Sequence, residues 1–581
     1  MRNKYSSNNF TLTFIILLIV AINGCSKKEK QNFELPSQPE IQKSSNNKLN
    51  SPTIDFKEVA EVYGIEFIHT NGAEGDKLFP ESMMGGIGFI DYNNDDFADL
   101  VAVAGSSVKN AAESKSNNIA IYKNEEGKRF VNVTEDLGLM FLGYGQGLTI
   151  GDFDADGYDD LYITAFGMNK LYKNERGEGF KDITDEMEVG GDQRDFSTAA
   201  SFVDIDNDGD LDLFVGNYLN WSIDKNEQLD INYDGANRMY PHPNSFSGSV
   251  SKIYINQYPQ PFTELNLGKK EELTKALGVL PVDLNDDNLI DFVVANDSIK
   301  NFAFINQGNG KFIEQADSFG LSYNNLGLPT AAMGMDGAWL GRDKSFNIAM
   351  GNFTDEMTSV YRYNSHGFFV DVSPLIGIGG PTRTSFTWGV VFADLDLDGQ
   401  DEFIQINSNV EPDIQKVQSN LRYKQPPQVF WQCNGSCERQ FIQLDVSQLG
   451  DFSNPIAGRG IAYADIDHDG DLDFAISSIQ ERVRLYRNDT DNQNNWIAFT
   501  LYSKTKTYST VGTTISIKYN GVEQKKRMMP TKGYLSHSES AVYFGLGKAQ
   551  LVDHITIQWP DGSQHIMKDI KANKRYSVGH E

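Results

Sequence analysis

Six times along the chain, acidic side chains recur at alternate positions of a nine-residue loop. The first loop holds Asp91, Asn93, Asp95 and Asp99, the second Asp152, Asp154, Asp156 and Asp160, the third Asp204, Asp206, Asp208 and Asp212. The fourth holds Asp283, Asn285, Asp287 and Asp291, the fifth Asp394, Asp396, Asp398 and Glu402, the sixth Asp465, Asp467, Asp469 and Asp473. Oxygens at loop positions one, three and five point inward from a tight curl, a backbone carbonyl at seven adds another, and the carboxylate at nine closes the shell. Hard oxygen ligands in that number select calcium, because magnesium demands a smaller octahedral cage. Position six is Gly157, Gly209, Gly399 and Gly470 in four loops, Asn288 in the fourth and Asp96 in the first. Glycine suits the left-handed turn needed there, and asparagine tolerates it. An EF-hand would close at position twelve between helices. Here the flanks, such as Leu161 to Thr164 and Leu213 to Val215, are strand-like. A single such loop would read equally well as a solvated turn. Six in one register predict about six structural calcium ions that tie strands together and do not catalyse.

Each loop lies between two apolar strands, and a hairpin trails it. Examples are Ile121 to Phe130, Leu171 to Phe180 and Ala303 to Phe312, with Gly or Asn at the turn. Every unit thus offers four short strands, the content of one propeller blade. A seventh, degenerate unit at Met335 to Gly341 lacks the later carboxylates, and packing around Trp339 and Leu340 is expected to replace metal there. Units this small cannot bury their own apolar faces and must stack around an axis. The predicted fold is all-β: a seven-bladed β-propeller over residues 53–494 followed by a small β domain over 495–581. In the latter, Ile555 to Gln558 alternates apolar and polar residues and Trp559-Pro560-Asp561-Gly562 ends a strand in a turn.

The 581 residues carry 80 Asp and Glu against 51 Lys and Arg, a formal net charge of −29. Of these acids, 22 stand at the loop ligand positions. This balance excludes the basic stripes a nucleic-acid binder needs, so no nucleic-acid partner is expected. Three cysteines exclude a disulfide scaffold or a multi-cysteine zinc ribbon.

Arg2 and Lys4 precede an apolar run from Phe10 to Ile22. As a helix that run covers about 20 Å, short of the roughly 30 Å hydrocarbon core. It ends at Ile22-Asn23-Gly24-Cys25, which resembles the lipobox of bacterial lipoprotein precursors. The resemblance implies a signal peptide over 1–25 and a lipid on Cys25; an ordinary secretory signal is the alternative. Residues 26–52 are polar and read as a flexible tether. The folded part is expected to hang from a bacterial membrane, facing the periplasm or the cell exterior. Once Cys25 carries lipid, Cys433 and Cys437 remain as an even pair, and a local disulfide is expected, with two free thiols as the alternative.

The acidic repeats resemble those of the FG-GAP/VCBS repeat proteins, which include integrin α-subunit propellers. A closer resemblance is to the cartilage acidic protein family, in which a propeller precedes an ASPIC/UnbV domain. It rests on Phe56 to Val59, Gly64 to His69 and Glu81 to Gly86, on the repeats, and on the last 71 residues of the chain. There Val511 to Thr514, Gly533 to Ser536, Tyr543 to Gly547 and Ile557 to Gly562 carry the signature.

Long insertions at 216–250 and 405–428 are where a propeller would bind a ligand. Trp221, Tyr240 and His242 would line a sugar or peptide site, or else pack the insertion itself. Ser536, His537, Ser538 and Glu539 read as a polar loop, since adjacent residues of an extended segment face opposite ways and no triad partner is identifiable. The chain reads as a cell-surface calcium-binding module for an unknown protein or glycan, held to the membrane by its lipid, and not as an enzyme. The alternative is a polysaccharide-active or biosynthetic tailoring enzyme using the propeller cleft.

Overall fold

A computed structural model describes residues 51–109, 117–229, 231–233, 237–267, 272–341, 343–433, 437–504 and 509–580. The lipobox, Cys25 and nearly all of the expected tether lie outside the described residues.

Seven antiparallel sheets of four strands follow one another in chain order. Their first strands are Ile87–Ile90, Tyr144–Gly151, Ser197–Val203, Ala276–Val282, Met335–Leu340, Thr387–Ala393 and Gly458–Ala464. Each lies beside the first strand of the next sheet, and Gly458–Ala464 lies beside Ile87–Ile90, so the ring closes as a seven-bladed propeller. An inner strand is covered on both faces, which is why Ser197–Val203 is buried throughout and reads as a continuous apolar and small-residue run.

The ring is locked by a strand from the start of the folded region. Phe56–Glu58 becomes the outer strand of the last sheet, pairing with Arg484–Asn488 in the register Phe56 to Asn488. The Phe56 ring sits 4.8 Å from that of Phe452 and 5.7 Å from that of Phe474. Sharing one sheet between the two ends of the ring leaves no open junction. Just upstream, Gln448 Nε2 donates to Ser51 Oγ and Pro52 O, so these two residues are held against the ring.

The fifth sheet has four strands but no acidic loop. Its first two strands, Met335–Leu340 and Ser345–Met350, are joined by only four residues. Leu340 is buried and Trp339 packs on Phe346 at 4.9 Å, so apolar contact does here what oxygen cages would do elsewhere.

The C-terminal module has two sheets. Asn495–Ser503 lies between Ala541–Gly547 and Lys574–His580. The other sheet orders Val522–Arg527, Thr514–Tyr519, Leu551–Gln558 and Gln564–Lys571. Ile555 and Ile557 turn inward together, as strand alternation requires, and Val552 is buried as well. Propeller and module form one compact unit.

Between the two sheets the module sends a segment down the ring axis. Thr531–Lys532 pairs with Ser536–His537, which adds in parallel to Ile87–Ile90. Gly533 exchanges two backbone hydrogen bonds with Met335, and Leu148 N donates to Leu535 O at 3.4 Å. Thr531 Oγ1 lies 3.2 Å from Ser201 Oγ, and the Tyr534 and Trp388 rings are 5.1 Å apart. Tyr463 N donates to Ser538 Oγ, and Thr531–Lys532 also lies against Ala276–Val282. The segment therefore touches the inner strand of every sheet. Two glycines make room for it: a Cβ on Gly334 would stand 2.3 Å from Gly533 O, and one on Gly460 would stand 2.5 Å from Ser536 Oγ. The polar loop expected at 536–539 is instead the filling of the axis, with Ser536, His537 and Ser538 fully buried. Their polarity misled because here they satisfy the backbone groups of the strands around them.

Candidate metal centres and the two faces of the ring

The six acidic loops join first to second strands, so all lie at one end of the ring. In five of them both oxygens of the position-one carboxylate accept backbone N–H groups of the curl, and in the third Asp204 Oδ2 accepts from Gly209 N. Asp152 takes those of Asp156 and Gly157 at 2.9 and 2.8 Å, and Asp394 those of Asp398 and Gly399 at 3.1 and 2.9 Å. Position six is left-handed throughout, at φ 93° in Gly157, 66° in Asn288 and 71° even in Asp96. Position four is left-handed as well, at Asn94, Ala155, Asn207, Asp286, Leu397 and His468, a feature the aspartate pattern does not reveal.

Three carboxylates approach within 4.8 Å of one another in the second, third, fifth and sixth loops: Asp152, Asp154 and Asp160; Asp204, Asp206 and Asp212; Asp394, Asp396 and Glu402; Asp465, Asp467 and Asp473. Oxygens facing each other across a calcium ion at about 2.4 Å would stand about 4.8 Å apart, so the donor set fits calcium. Loops one and four have amides, Asn93 and Asn285, as their second ligand. Both donate to the next carboxylate, Asp95 at 3.0 Å and Asp287 at 2.9 Å. Burial pushes these acids up: Asp91 and Asp204 to about 6, Asp291 to about 7, Asp212 and Asp465 to about 8. In the second loop the Lys173 ammonium lies against Asp154 and Asp156. Carboxylates gathered this closely favour positive charge between them, which a divalent ion would supply.

The position-nine carboxylate does more than close a cage. Asp160 accepts from Phe153 N within the loop and from Asn174 N on the third strand. Asp99, Asp212, Asp291 and Asp473 repeat this with Asn124, Asn256, Asn306 and Asn488. Each loop is thereby tied to three strands of its sheet.

The C-terminal module covers this acidic face. Gly547 N donates to Leu397 O and Asn494 Nδ2 to Asp396 O in the fifth loop. Ser509 N donates to Gly209 O in the third loop, and Trp496 lies so close over Gly470 of the sixth that a Cβ there would clash. Lys526 pairs with Asp401 at 2.6 Å, and Arg575 reaches Asp465 of the sixth loop at 3.9 Å.

The two insertions join second to third strands and lie at the opposite end. Trp221 is buried, donating from Nε1 to Asn226 Oδ1 and meeting Phe166 edge-on at 5.0 Å, so it packs the insertion. His242 Nδ1 accepts from Asn244 N. Tyr240 alone of the three reaches a cavity, lined by Lys77, Glu81, Tyr423, Arg459 and Gln480. Its hydroxyl donates to Glu81 Oε2 at 3.1 Å, and Lys77 Nζ stands 4.8 Å above its ring and 2.6 Å from Glu411 of the second insertion. Burial raises Glu81 to about 7 against the opposing Tyr240 bond, and lowers buried Arg459 to about 10. Arg459 stacks on Trp388 at 4.0 Å, above Tyr534 of the axial segment. The cavity is thus a closed-floored pocket and not a channel.

Cys433 and Cys437 are bonded to each other across the tip of the sixth sheet's outer hairpin, their Cα atoms 6.1 Å apart.

A ring of acid-looped sheets with a C-terminal β module on its axis defines the class. The FG-GAP-like repeat family matches residues 91–163 and 152–215, and the ASPIC and UnbV family matches 503–581. The chain thus carries FG-GAP-like repeats within 91–215 and an ASPIC and UnbV domain over 503–581. Among curated proteins it is similar to cartilage acidic protein 1 of Xenopus tropicalis, 23% identical over 83% of this chain and 71% of that one. The mouse and human proteins of that name are also 23% identical, over 75% of this chain and 64% and 63% of theirs. Among solved structures, an Agrocybe aegerita lectin recognising non-reducing terminal N-acetylglucosamine aligns at TM-score 0.38 and 15% identity, covering 79% of this chain and 98% of its own. The BBS1N chain from its complex with ARL6DN aligns at TM-score 0.41 and 11% identity, covering 76% of this chain and 99% of that one.

Proposed function

We propose that this chain is a calcium-stabilised binding module displayed by a lipid on Cys25 at a bacterial membrane, facing the periplasm or the exterior. It takes a protein or glycan on the face built by the two insertions. The observation that carries this reading is the filled axis: with Thr531–His537 inside the ring and the C-terminal module over the acidic loops, the insertion face is left for a ligand. Its pocket offers Tyr240, Tyr423, Lys77, Glu81 and Arg459, a mixture of rings and hydrogen-bonding groups of the kind that grips hydroxyl-rich or peptide ligands. A glycan array and a surface-protein pull-down with the mature chain in calcium test it. Binding is expected, and Tyr240→Ala should abolish it; ligands that bind both proteins equally would move the site elsewhere. The lipid reading is tested separately, because Cys25→Ser should leave the chain out of the membrane fraction.

A second reading, an enzyme, draws on Glu81 alone: a carboxyl raised to about 7 beside a tyrosine hydroxyl has the poise of a general acid. Turnover of any array ligand that stops in Glu81→Gln would favour it.

A further inference from the structure

A second, small cavity lies between the C-terminal module and the fifth, sixth and seventh sheets. Lys525, Lys526, Arg527 and Lys532 line it. The carboxylates that share it are already engaged. Asp401 holds Lys526 at 2.6 Å. Asp336 accepts from Phe392 N and Gly337 N, each at 2.8 Å, with Lys532 Nζ at 3.7 Å. Glu539 is matched by Arg575. Two cations, Lys525 and Arg527, form no ion pair among the described residues, although the carboxylates of Asp286 (toward both), Asp283 (toward Arg527) and Glu523 (toward Lys525) act on them at longer range. Both cations reach over the Trp339 ring, at 4.5 and 5.5 Å, in the blade that has no acidic loop. Arg527 Nε and Nη1 are buried and meet no hydrogen-bond acceptor among the described residues. The fourth acidic loop faces them with the charges of Asp283 and Asp286 but supplies no hydrogen bond to the Arg527 edge, since both oxygens of Asp283 accept N–H groups of their own curl.

A buried guanidinium edge without an acceptor is costly and is the donor geometry that matches an oxyanion. We propose that this junction is a binding site for a dianionic tetrahedral oxyanion, a phosphate group either free or as a sugar monoester, held by Arg527 and Lys525 above Trp339. Two cations over one ring, neither held in an ion pair among the described residues, match a doubly charged ligand. The unequal blade sets the place: where six blades present carboxylates, the fifth presents an indole, and cations of the module converge on it. The site is independent of the insertion-face pocket, so either reading can fail without the other.

Calorimetric titration of the mature chain in calcium with inorganic phosphate, glucose 6-phosphate and inorganic sulfate tests the proposal. Saturable binding to one or more is expected with a dissociation constant below about 1 mM, weakening as salt rises. Preference for the sugar ester over free phosphate identifies a glycan-borne group, and the reverse a free ion. Arg527→Gln and Lys525→Gln should each cost about tenfold or more in affinity, while Lys548→Gln, remote and exposed, should cost nothing. Should Arg527→Gln fail to fold, Lys525→Gln carries the test, because its side chain is exposed at the rim. No saturable heat from any of the three anions, or unchanged affinity in both lining variants, overturns the site.

Discussion

Asn174, on the third strand of the second sheet, donates its side-chain amide at 2.8 Å to the backbone oxygen of Tyr92 in the acidic loop of the first. The same clasp joins Asn124 to Ile466, Asn256 to Phe153, Asn306 to Ile205 and Asn488 to Leu395. Each of these asparagines also takes its own backbone N–H to the position-nine carboxylate. Loop, sheet and neighbouring sheet are therefore fastened at one residue. Among the described residues no such clasp involves the fifth sheet, which lacks the loop; there Arg362 bonds Gln440 of the sixth sheet.

Asn174 also donates to Asp159 O and accepts from Gly177 N, so truncation strands several buried groups. Asn174→Ala should lower unfolding stability by about 2–3 kcal/mol, read from denaturant melts in saturating calcium. A loss below about 0.5 kcal/mol would show that water replaces the clasp at no cost.

The loops were legible because they are local: Asp at alternate positions with Gly, Asn or Asp at six state a curl within nine residues, and six such loops with a seventh, degenerate unit state a ring. The clasp asparagines stood in plain sight in Tyr122-Lys123-Asn124 and Tyr172-Lys173-Asn174, yet their partners lie in another repeat. The axial segment was illegible for the same reason. Ile87 and Ser536 pair across almost the whole chain, and no periodicity in Gly533 to Ser538 announces a partner that far away. The strand Phe56–Glu58 is three residues long, too short for alternation to show. The tertiary environment, not the local pattern, decided these three.

Calcium removal should loosen the C-terminal module before it unfolds the ring. The module rests on backbone oxygens of Gly209, Leu397 and Asp396, whose positions depend on the curl of their loops. Without a cation, three or four carboxylates per loop repel one another and the curl relaxes. Amide exchange at 531–537 should then rise about 100-fold on adding EDTA, equivalent to about 2.7 kcal/mol. Exchange mass spectrometry reads this directly. Unchanged protection there, with a lowered melting temperature, would place the calcium effect within the blades alone.

The left-handed residue at position four offers a stabilising substitution. Asn94 Nδ2 donates to Gly157 O in the next loop, Asn207 Nδ2 to Asn288 O, and His468 Nε2 meets Asp96 O at 2.9 Å. Ala155, at φ 55°, makes no such bond with its side chain and carries the backbone cost of that conformation. Ala155→Asn suits the left-handed region better and brings an amide toward Gly209. It should raise stability by about 0.5–1 kcal/mol, with Ala155→Leu as the destabilising counterpart. Equal melting temperatures for Ala155, Asn and Leu would refute the argument.

Glu81 should impose a pH dependence of definite sign. Its carboxyl titrates at about 7 in the folded protein and near 4.3 when unfolded. Between these values the native state holds a proton that the unfolded chain has released, so this group's contribution to stability declines as pH climbs from about 4.3 to 7 and stays lost above. Glu81→Gln mimics the protonated acid and keeps a partner for Tyr240. The variant should match the parent at pH 4.5 and exceed it at pH 8 by on the order of 2 kcal/mol. Calorimetric melts at the two pH values measure the difference, in which every other titrating group cancels. A gap of the same size at both values would mean that Glu81 acts there through packing and not through its proton.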